Sequence, residues 1–203
     1  MANLDKMLRY ILPAYLIVFF ATTVFWRSYL VRKKTGINPV ILSKRDDVYG
    51  FIEKSSGLTV TASIFVIMVY SMSKGWYQYL APIFWLQELL MACIGLMLLL
   101  ISLVWILIAQ NQMDKSWRMG IDLTAKTELV QRGFYHFSRN PIFLGVQVNL
   151  LGFFLVLPNA VTLTILIVGD ILIQIQVRLE EDYLVQIHGK RYREYCQSVR
   201  RWF

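Results

Sequence analysis

The stretch RGFYHFSRNPIFLG, residues 132–145, places hydrogen-bonding and ionisable side chains directly ahead of an apolar segment. Such groups can bind an anion, orient a ligand or move a proton. Asn140-Pro141 predicts a helix start, with Asn140 as the N-cap and Pro141 as the first helical residue. A helix start does not explain why Tyr135 and Arg139 lie just before it. A helix N-terminus beside arginines also favours the binding of a carboxylate or another anion. The stretch is therefore either the polar collar of a membrane helix or the rim of an active site.

A second set of ionisable residues lies further along the chain, at Asp170 and in residues 178–182. At about 100° per residue, a helix puts Asp170, Arg178 and Glu181 on one face and Glu180 on another. Because polar groups inside a membrane are costly, Asp170 either forms a helix-to-helix hydrogen bond or lines a water-accessible site. Glu180 and Glu181 either form a solvated acidic face or belong to that site.

The elements that carry these residues are strongly apolar, since only 17% of the 203 residues are charged, against about 25% in an average soluble domain. The apolar runs predict an all-α integral membrane protein with about five transmembrane helices. Three of these helices lie at residues 10–30, 58–72 and 83–109, and the run at residues 142–177 is long enough for two more. Residues 157–160, Leu-Pro-Asn-Ala, predict a tight turn, so that the last two helices form a helical hairpin. The first run is too long for the core of a signal peptide and lacks a small-residue cleavage site, which predicts a retained span.

We expect a single membrane-embedded domain over residues 1–203. Residues 1–109 carry three N-terminal spans, and residues 110–203 carry a polar connector, the hairpin and a basic tail. The connector is too long for a simple turn, and loops of that length are often functional. The tail, residues 183–203, interleaves aromatic and basic side chains, which predicts an amphipathic C-terminal helix on the cytoplasmic side, interrupted at Gly189.

The distribution of the net charge of +8 predicts the topology. Basic loops alternate with nearly neutral ones, so the positive-inside rule puts the basic loops and the C-terminus in the cytoplasm. We expect a multi-pass protein of a bacterial inner (plasma) membrane, or of the endoplasmic reticulum in a eukaryote. Attraction to anionic lipid headgroups explains the basic charge, and no nucleic-acid partner is expected. The two cysteines, Cys93 and Cys196, have no spacing that resembles a zinc site, and no metal is expected.

Two stretches resemble the signatures of the isoprenylcysteine carboxyl methyltransferase family. The first is ELVQRGFYHFSRNPIFLG, residues 128–145, which is similar to a signature with Leu-Val, then Gly-x-Tyr, then Arg-His-Pro-x-Tyr-x-Gly. The second is RLEEDYLVQIHGKRYREYCQSVRRW, residues 178–202, which is similar to a C-terminal signature with Glu-Glu, a leucine, an apolar-Gly pair, two spaced tyrosines and a basic stretch. A helical hairpin of the right size separates the two motifs, and the resemblance covers residues 128–203.

That family consists of integral-membrane enzymes that use S-adenosylmethionine; members methylate prenylcysteine carboxylates, and relatives methylate phospholipid amines. The resemblance implies methyl transfer to a lipidic or small hydrophobic acceptor in the lipid bilayer, such as a prenylcysteine-like carboxylate or a phospholipid amine. It leaves the oligomeric state open. It also implies an S-adenosylmethionine pocket formed by Thr127, Glu128, Leu129, Val130, Tyr135, Asn140, Pro141, Ile142, Phe143 and Glu180.

Three positions depart from the pattern of that family. Asn140 stands where the family usually has histidine, and Phe143 replaces a tyrosine. Gln176 stands where the prenylcysteine enzymes have an arginine that faces the substrate carboxylate, and the nearest arginine is Arg178. Gln176 and Arg178 are therefore the candidates for substrate binding. An amine or hydroxyl acceptor would also need a base, which could be Glu181, Asp170 or His188. The catalytic role as a whole stays open among three candidates: Arg178, Glu181 and Asp170.

Two other functions are compatible with the sequence. One is a membrane reductase related to the sterol reductases, which look similar in the C-terminal third; it would bind NADPH, for which this chain looks too short. The other is a non-enzymatic membrane scaffold that has kept the fold. A scaffold should keep its role in the variants Glu180→Gln and Tyr135→Ala, whereas an enzyme should lose activity in both while remaining folded.

Overall fold

The computed structural model describes residues 2–40, 46–120 and 128–203, and these ranges contain helices but no β-strand. The prediction of an all-helical protein is confirmed. The α-helices are α1 (Ala2–Phe20), α2 (Arg27–Thr35), α3 (Val48–Met72), α4 (Lys74–Tyr77), α5 (Leu89–Met113), α6 (Pro141–Val156), α7 (Ala160–His188) and α8 (Lys190–Ser198). Single turns of 3-10 helix lie at Gln78–Leu80, Phe84–Leu86, Asp114–Ser116 and Gly133–His136.

Within the described ranges, four helical segments are long and apolar enough to cross a membrane: Leu4–Thr35, Val48–Met72, Leu89–Ser116 and Ala160–His188. The apolar helix α6 has only 16 residues, or about 24 Å at 1.5 Å per residue, which is less than the roughly 30 Å of a bilayer core. The predicted spans therefore correspond to four helices of membrane-spanning length and one shorter apolar helix.

The first helical unit is longer than its apolar run predicted. A π-helical turn, Ala21–Trp26, joins α1 to α2, so the helix continues to Thr35. Such a turn alters the main-chain hydrogen-bond pattern, and the main-chain oxygen of Thr23 accepts a hydrogen bond from Gln110 Nε2 of α5 at 3.1 Å. As a result, Arg27 lies inside a continuous helix rather than at its end.

The predicted hairpin turn is confirmed between α6 and α7. Asn159 is the N-cap of α7: its side chain accepts from the main-chain N–H of Thr162 at 2.9 Å, and the Thr162 hydroxyl accepts from the main-chain N–H of Asn159 at 3.2 Å. This reciprocal capping box begins the helix. The carbonyl of Pro158 accepts from the N–H of Ile83 at 2.9 Å, which ties the turn to the segment ahead of α5.

Glycines allow α5 and α6 to lie in close contact. A Cβ atom on Gly95 would lie 2.8 Å from the main-chain oxygen of Gly152, and one on Gly152 would lie 2.9 Å from that of Gly95. A Cβ on Gly145 would lie 2.6 Å from Ile106. Small residues at a helix interface let backbones approach in this way. The contact fixes the start of α6, where the first motif ends, against the end of α5.

Polar side chains inside the bundle bind one another. Gln147 of α6 donates to the carboxylate of Asp170 in α7, which is the helix-to-helix bond expected under one of the two interpretations of Asp170. Asn149 of α6 donates to the hydroxyl of Tyr15 in α1 and, at 2.9 Å, to that of Ser102 in α5. These bonds satisfy groups that would otherwise be unpaired in an apolar environment and hold the helices in register.

The predicted amphipathic tail helix is confirmed in part: α8 covers Lys190–Ser198, whereas residues 183–188 continue α7, and Gly189, with a φ of +53°, separates the two helices. The aromatic face of α8 does not point away from the protein: Tyr192 and Tyr195 are buried. They form a small core with Val199, against which Leu129 and residues of α7 pack. The tail therefore packs onto the protein itself.

Candidate active site

A buried carboxylate, Glu181 of α7, joins the two motifs. It is 7% exposed and accepts five hydrogen bonds, from Arg139 Nε and Nη2 at 3.1 and 3.2 Å, Asn140 Nδ2 at 3.0 Å, and Arg201 Nε and Nη2 at 3.1 and 2.8 Å. A carboxylate offers about four lone-pair sites, so Glu181 is saturated. Its charge-assisted bonds raise the pKa of Arg201 and connect the first motif, α7 and the C-terminal segment.

Main-chain contacts complete this connection. Arg139 Nη1 donates to the carbonyl oxygens of Cys196 and Val199 at 3.1 and 2.7 Å, and the main-chain N–H of Arg139 donates to the carbonyl oxygen of Arg200 at 3.0 Å. The hydroxyl of Tyr195 donates to the main-chain oxygen of Tyr135. The C-terminal segment thus holds the first motif in place.

Tyr135 and Glu180 are close enough to interact electrostatically. The Tyr135 side chain is 6% exposed, and its hydroxyl has no hydrogen-bond partner among the described residues. Burial raises the pKa of this hydroxyl well above its usual value, and the Glu180 carboxylate raises it further. Glu180 is half-buried and accepts from Gln176 Nε2 at 3.1 Å. A buried hydroxyl without a partner is costly, and it is a group that a ligand can bind.

The end of α5 positions the first motif. Gln112 Oε1 accepts from the main-chain N–H of Phe134 at 2.7 Å. Its amide lies against Gly133, where φ is +64° and a Cβ atom would come within 2.4 Å of Gln112. Trp105 stacks on Phe134, with 4.0 Å between ring centroids, and its Nε1 donates to the Pro141 carbonyl at 2.8 Å. The motif therefore rests on a fixed surface of α5.

An arginine from the N-terminal region also reaches this end of the bundle. Arg27 of α2 is 5% exposed, and it donates from Nη1 to Asn111 Oδ1 at 3.2 Å and from Nη2 to the Asp114 carbonyl at 2.6 Å. The guanidinium carbon lies 6.0 Å from the centre of the Trp117 ring. Sequence reasoning missed this residue because it stood at the edge of an apolar run, and its partners are 84 and 87 residues away.

The other residues of the expected cofactor pocket have varied environments. Thr127 lies outside the described residues. Asn140 is the N-cap of α6 as predicted, but its side chain binds Glu181 and makes no capping bond. Of the remaining residues, Glu128 is exposed, Pro141 is buried, and Leu129, Val130, Ile142 and Phe143 are half-buried.

The three candidates for a catalytic group are already engaged. Arg178 is exposed, and its Nη1 donates to the carbonyl of Gln174 at 2.6 Å in its own helix. Asp170 binds Gln147, and Glu181 is saturated by its five hydrogen bonds. None of the three is a free base in this arrangement.

A cavity of about 390 Å³ lies at the other end of the bundle. Its lining includes the hairpin turn, Tyr70, Tyr77 and Glu88, and it shares no residue with the two motifs. The candidate site therefore lies among the residues of the two motifs, around Tyr135, Glu180 and Glu181, and not in this cavity.

Comparison with known proteins identifies the family. A family model described as phospholipid methyltransferase matches residues 90–191, half of the chain. The match runs from α5 to the first residues of α8, and so includes the first motif, the hairpin and Glu180-Glu181. No curated protein matches the chain. The chain belongs to the phospholipid methyltransferase family, a family of membrane methyltransferases related to the isoprenylcysteine carboxyl methyltransferases that its two motifs resemble.

Proposed function

We propose that the protein transfers a methyl group from S-adenosylmethionine to a lipidic acceptor at the membrane, with a phospholipid amine as the favoured acceptor. The observation that carries this proposal is the direct contact between the two motifs: Glu181 binds Arg139 although 42 residues separate them. Family membership and the four helices of membrane-spanning length support the same function.

The residues around Tyr135 suit a positively charged cofactor. When bound, S-adenosylmethionine supplies an electrophilic methyl group on a sulfonium; transfer breaks the carbon–sulfur bond and leaves the thioether S-adenosylhomocysteine, and the lone pair of the acceptor forms the new bond. An ammonium acceptor would first release its proton, and the half-buried Glu180 carboxylate is a group that could accept it, since Asp170 and Glu181 are engaged. Glu180 would contribute negative charge near the sulfonium, and the unpartnered Tyr135 hydroxyl would contribute a hydrogen bond. Residues 140–143 would form the neighbouring wall, as the family resemblance implies.

We propose that Glu181 is a positioning residue rather than a base. Its lone pairs are used by Arg139, Asn140 and Arg201, so it holds the walls of the site together instead of accepting a proton. Methyl transfer is an in-line displacement, for which fixed orientation of the reactants supplies a large part of the rate enhancement. A rigid connection between the two motifs serves that need.

An amine acceptor fits this site better than a prenylcysteine carboxylate. At the position where the prenylcysteine enzymes carry an arginine, Gln176 is neutral and binds Glu180 at 3.1 Å. The nearest arginine, Arg178, is bound to its own helix. A site with a half-buried carboxylate and no cation at that position favours a group that carries or develops positive charge.

The proposal is tested by incubating the purified protein in phospholipid vesicles with labelled methyl donor and identifying labelled lipids by mass spectrometry. We expect label in amine headgroups with the wild type and its loss with Glu180→Gln. Label in neither the lipids nor an added prenylcysteine would contradict the proposed function. NADPH-dependent reduction of a sterol would support the reductase hypothesis instead.

A further inference from the structure

Arg27 is a buried cation whose partners carry no formal charge. It lies on α2, outside the residues that the family model matches, and only 5% of it is exposed. Its two terminal nitrogens donate to the amide oxygen of Asn111 and the main-chain oxygen of Asp114, and the Trp117 ring lies 6.0 Å away. These contacts orient the guanidinium without neutralising it.

The Asp114 carboxylate offsets the positive charge of Arg27 only from beyond ion-pair distance. No described carboxylate lies within 4.0 Å of it, and the Asp114 carboxylate binds Lys34 Nζ at 2.6 Å instead. The C-terminus of α5 offers partial negative charge equivalent to only about half an elementary charge. In addition, Arg27 Nε is buried without a hydrogen-bond partner among the described residues. A buried cation with an unused donor is costly unless an anion completes its surroundings.

Arg27 belongs to the same end of the bundle as the candidate site. Two adjacent residues of α5 bind Arg27 and the first motif. Asn111 accepts a hydrogen bond from Arg27, and Gln112 accepts one from the main-chain N–H of Phe134, which is next to Tyr135. The guanidinium opposes the rise in the pKa of the Tyr135 hydroxyl, whereas the Glu180 carboxylate reinforces it. Arg27 and Glu180 therefore both lie within range of an electrostatic effect on Tyr135.

We propose that Arg27 binds the anionic oxygen group of a ligand in the methyl-transfer site, either the carboxylate of the methyl donor or the phosphate of a phospholipid acceptor. This inference rests on the proposed function. Both ligands carry separated positive and negative groups, which suit a site that contains both the Glu180 carboxylate and the Arg27 guanidinium. A guanidinium matches carboxylate and phosphate oxygens through several parallel donors.

The test measures Arg27→Gln in two assays. One is the Kd of S-adenosylhomocysteine for the detergent-purified protein, by titration calorimetry; the other is the KM for a phospholipid amine in vesicles. If Arg27 binds the donor carboxylate, we expect the Kd to rise about tenfold or more. If it binds the lipid phosphate, we expect the KM to rise by a similar factor. Lys33→Gln is the matched control, since it removes an exposed cation from the same helix and should leave both constants unchanged.

If Arg27→Gln does not fold, Arg27→Lys gives the answer, because the ammonium keeps the charge but loses the planar set of donors. We expect several-fold weakening of the same constant, with kcat at saturation nearly unchanged. A folded variant at position 27 with wild-type Kd and wild-type KM would show that Arg27 only ties α2 to α5, and would overturn the inference alone. A wild-type protein that neither binds S-adenosylhomocysteine nor transfers methyl groups would overturn the proposed function and this inference with it.

Discussion

The carboxylate of Glu181 and the guanidinium of Arg139 form a buried ion pair, with 3.1 Å between Glu181 Oε1 and Arg139 Nε and side chains only 9% and 10% exposed. Arg201 binds the same carboxylate at 2.8 Å. This pair holds the start of α6 against α7 and the C-terminal segment. The architecture of the site therefore depends on one acidic residue.

The first prediction concerns Glu181→Gln. The substitution leaves Arg139 and Arg201 without their counter-charge, and breaking a buried ion pair costs about 3–5 kcal/mol. Unfolding of the detergent-solubilised protein, followed by circular dichroism in denaturant, should show that loss. Lys190→Ala removes an exposed pair with Glu194, 3.8 Å apart, and should change little. Equal stability of the two variants would contradict the role given to Glu181.

The second prediction concerns the contact between α5 and α6. Gly152→Ala would put a Cβ atom 2.9 Å from the Gly95 carbonyl, which is backbone that cannot rotate away. We expect a loss of about 1–3 kcal/mol in the free energy of unfolding. Gly57→Ala in α3, where no atom lies within 4 Å, is the control and should be neutral or stabilising. A neutral Gly152→Ala would show that the helices are not in close contact.

The third prediction separates ligand binding from folding at Tyr135. Tyr135→Phe removes a buried hydroxyl that has no partner among the described residues, so the protein should be as stable as the wild type or more so. Tyr195→Phe removes a hydroxyl that donates to the Tyr135 main-chain oxygen, and should cost about 0.5–1.5 kcal/mol. Affinity for S-adenosylhomocysteine should fall in Tyr135→Phe. Destabilisation of Tyr135→Phe to the same degree as Tyr195→Phe would contradict this assignment.

The fourth prediction is a loss of stability at high pH. Burial raises the pKa of the Tyr135, Tyr192 and Tyr195 hydroxyls above the usual value of 10.0. Above about pH 10 the unfolded chain loses these protons while the folded protein keeps them. The contribution of the three phenols to the free energy of unfolding is therefore constant below that pH and falls above it. Each phenol should lower the free energy of unfolding by up to about 1.4 kcal/mol per pH unit. Denaturant unfolding between pH 8 and 12 should show a smaller decline for Tyr192→Phe, and identical slopes would contradict the prediction.

Local signals predicted the elements of this fold well. The helix start at Asn140-Pro141, the turn at Asn159 and the interruption at Gly189 all depend on residues close in sequence. The length of the first helix was underestimated because a π-helical turn carries the helix past its apolar run.

The site was only partly predictable, because its contacts join distant residues. Helical spacing separated Glu180 from Glu181, but only the packing of α7 shows that Glu181 meets Arg139. Arg27 gave no signal, since its partners are distant in sequence: Asn111 lies on α5, and Asp114 lies in the turn after it. The family resemblance pointed to the motifs and not to the α5 side chains that position them.

The central claim is that Glu180 and Tyr135 belong to an S-adenosylmethionine site, and the most direct measurement is calorimetric titration of the purified protein with S-adenosylmethionine, whose sulfonium charge Glu180 would face. We predict binding by the wild type, a weakening of about tenfold or more in Glu180→Gln, and wild-type affinity in the control Asp182→Asn, whose side chain is exposed on the same helix. Absence of binding by the folded wild type at millimolar ligand, or equal affinity of Glu180→Gln and the wild type, would contradict the claim.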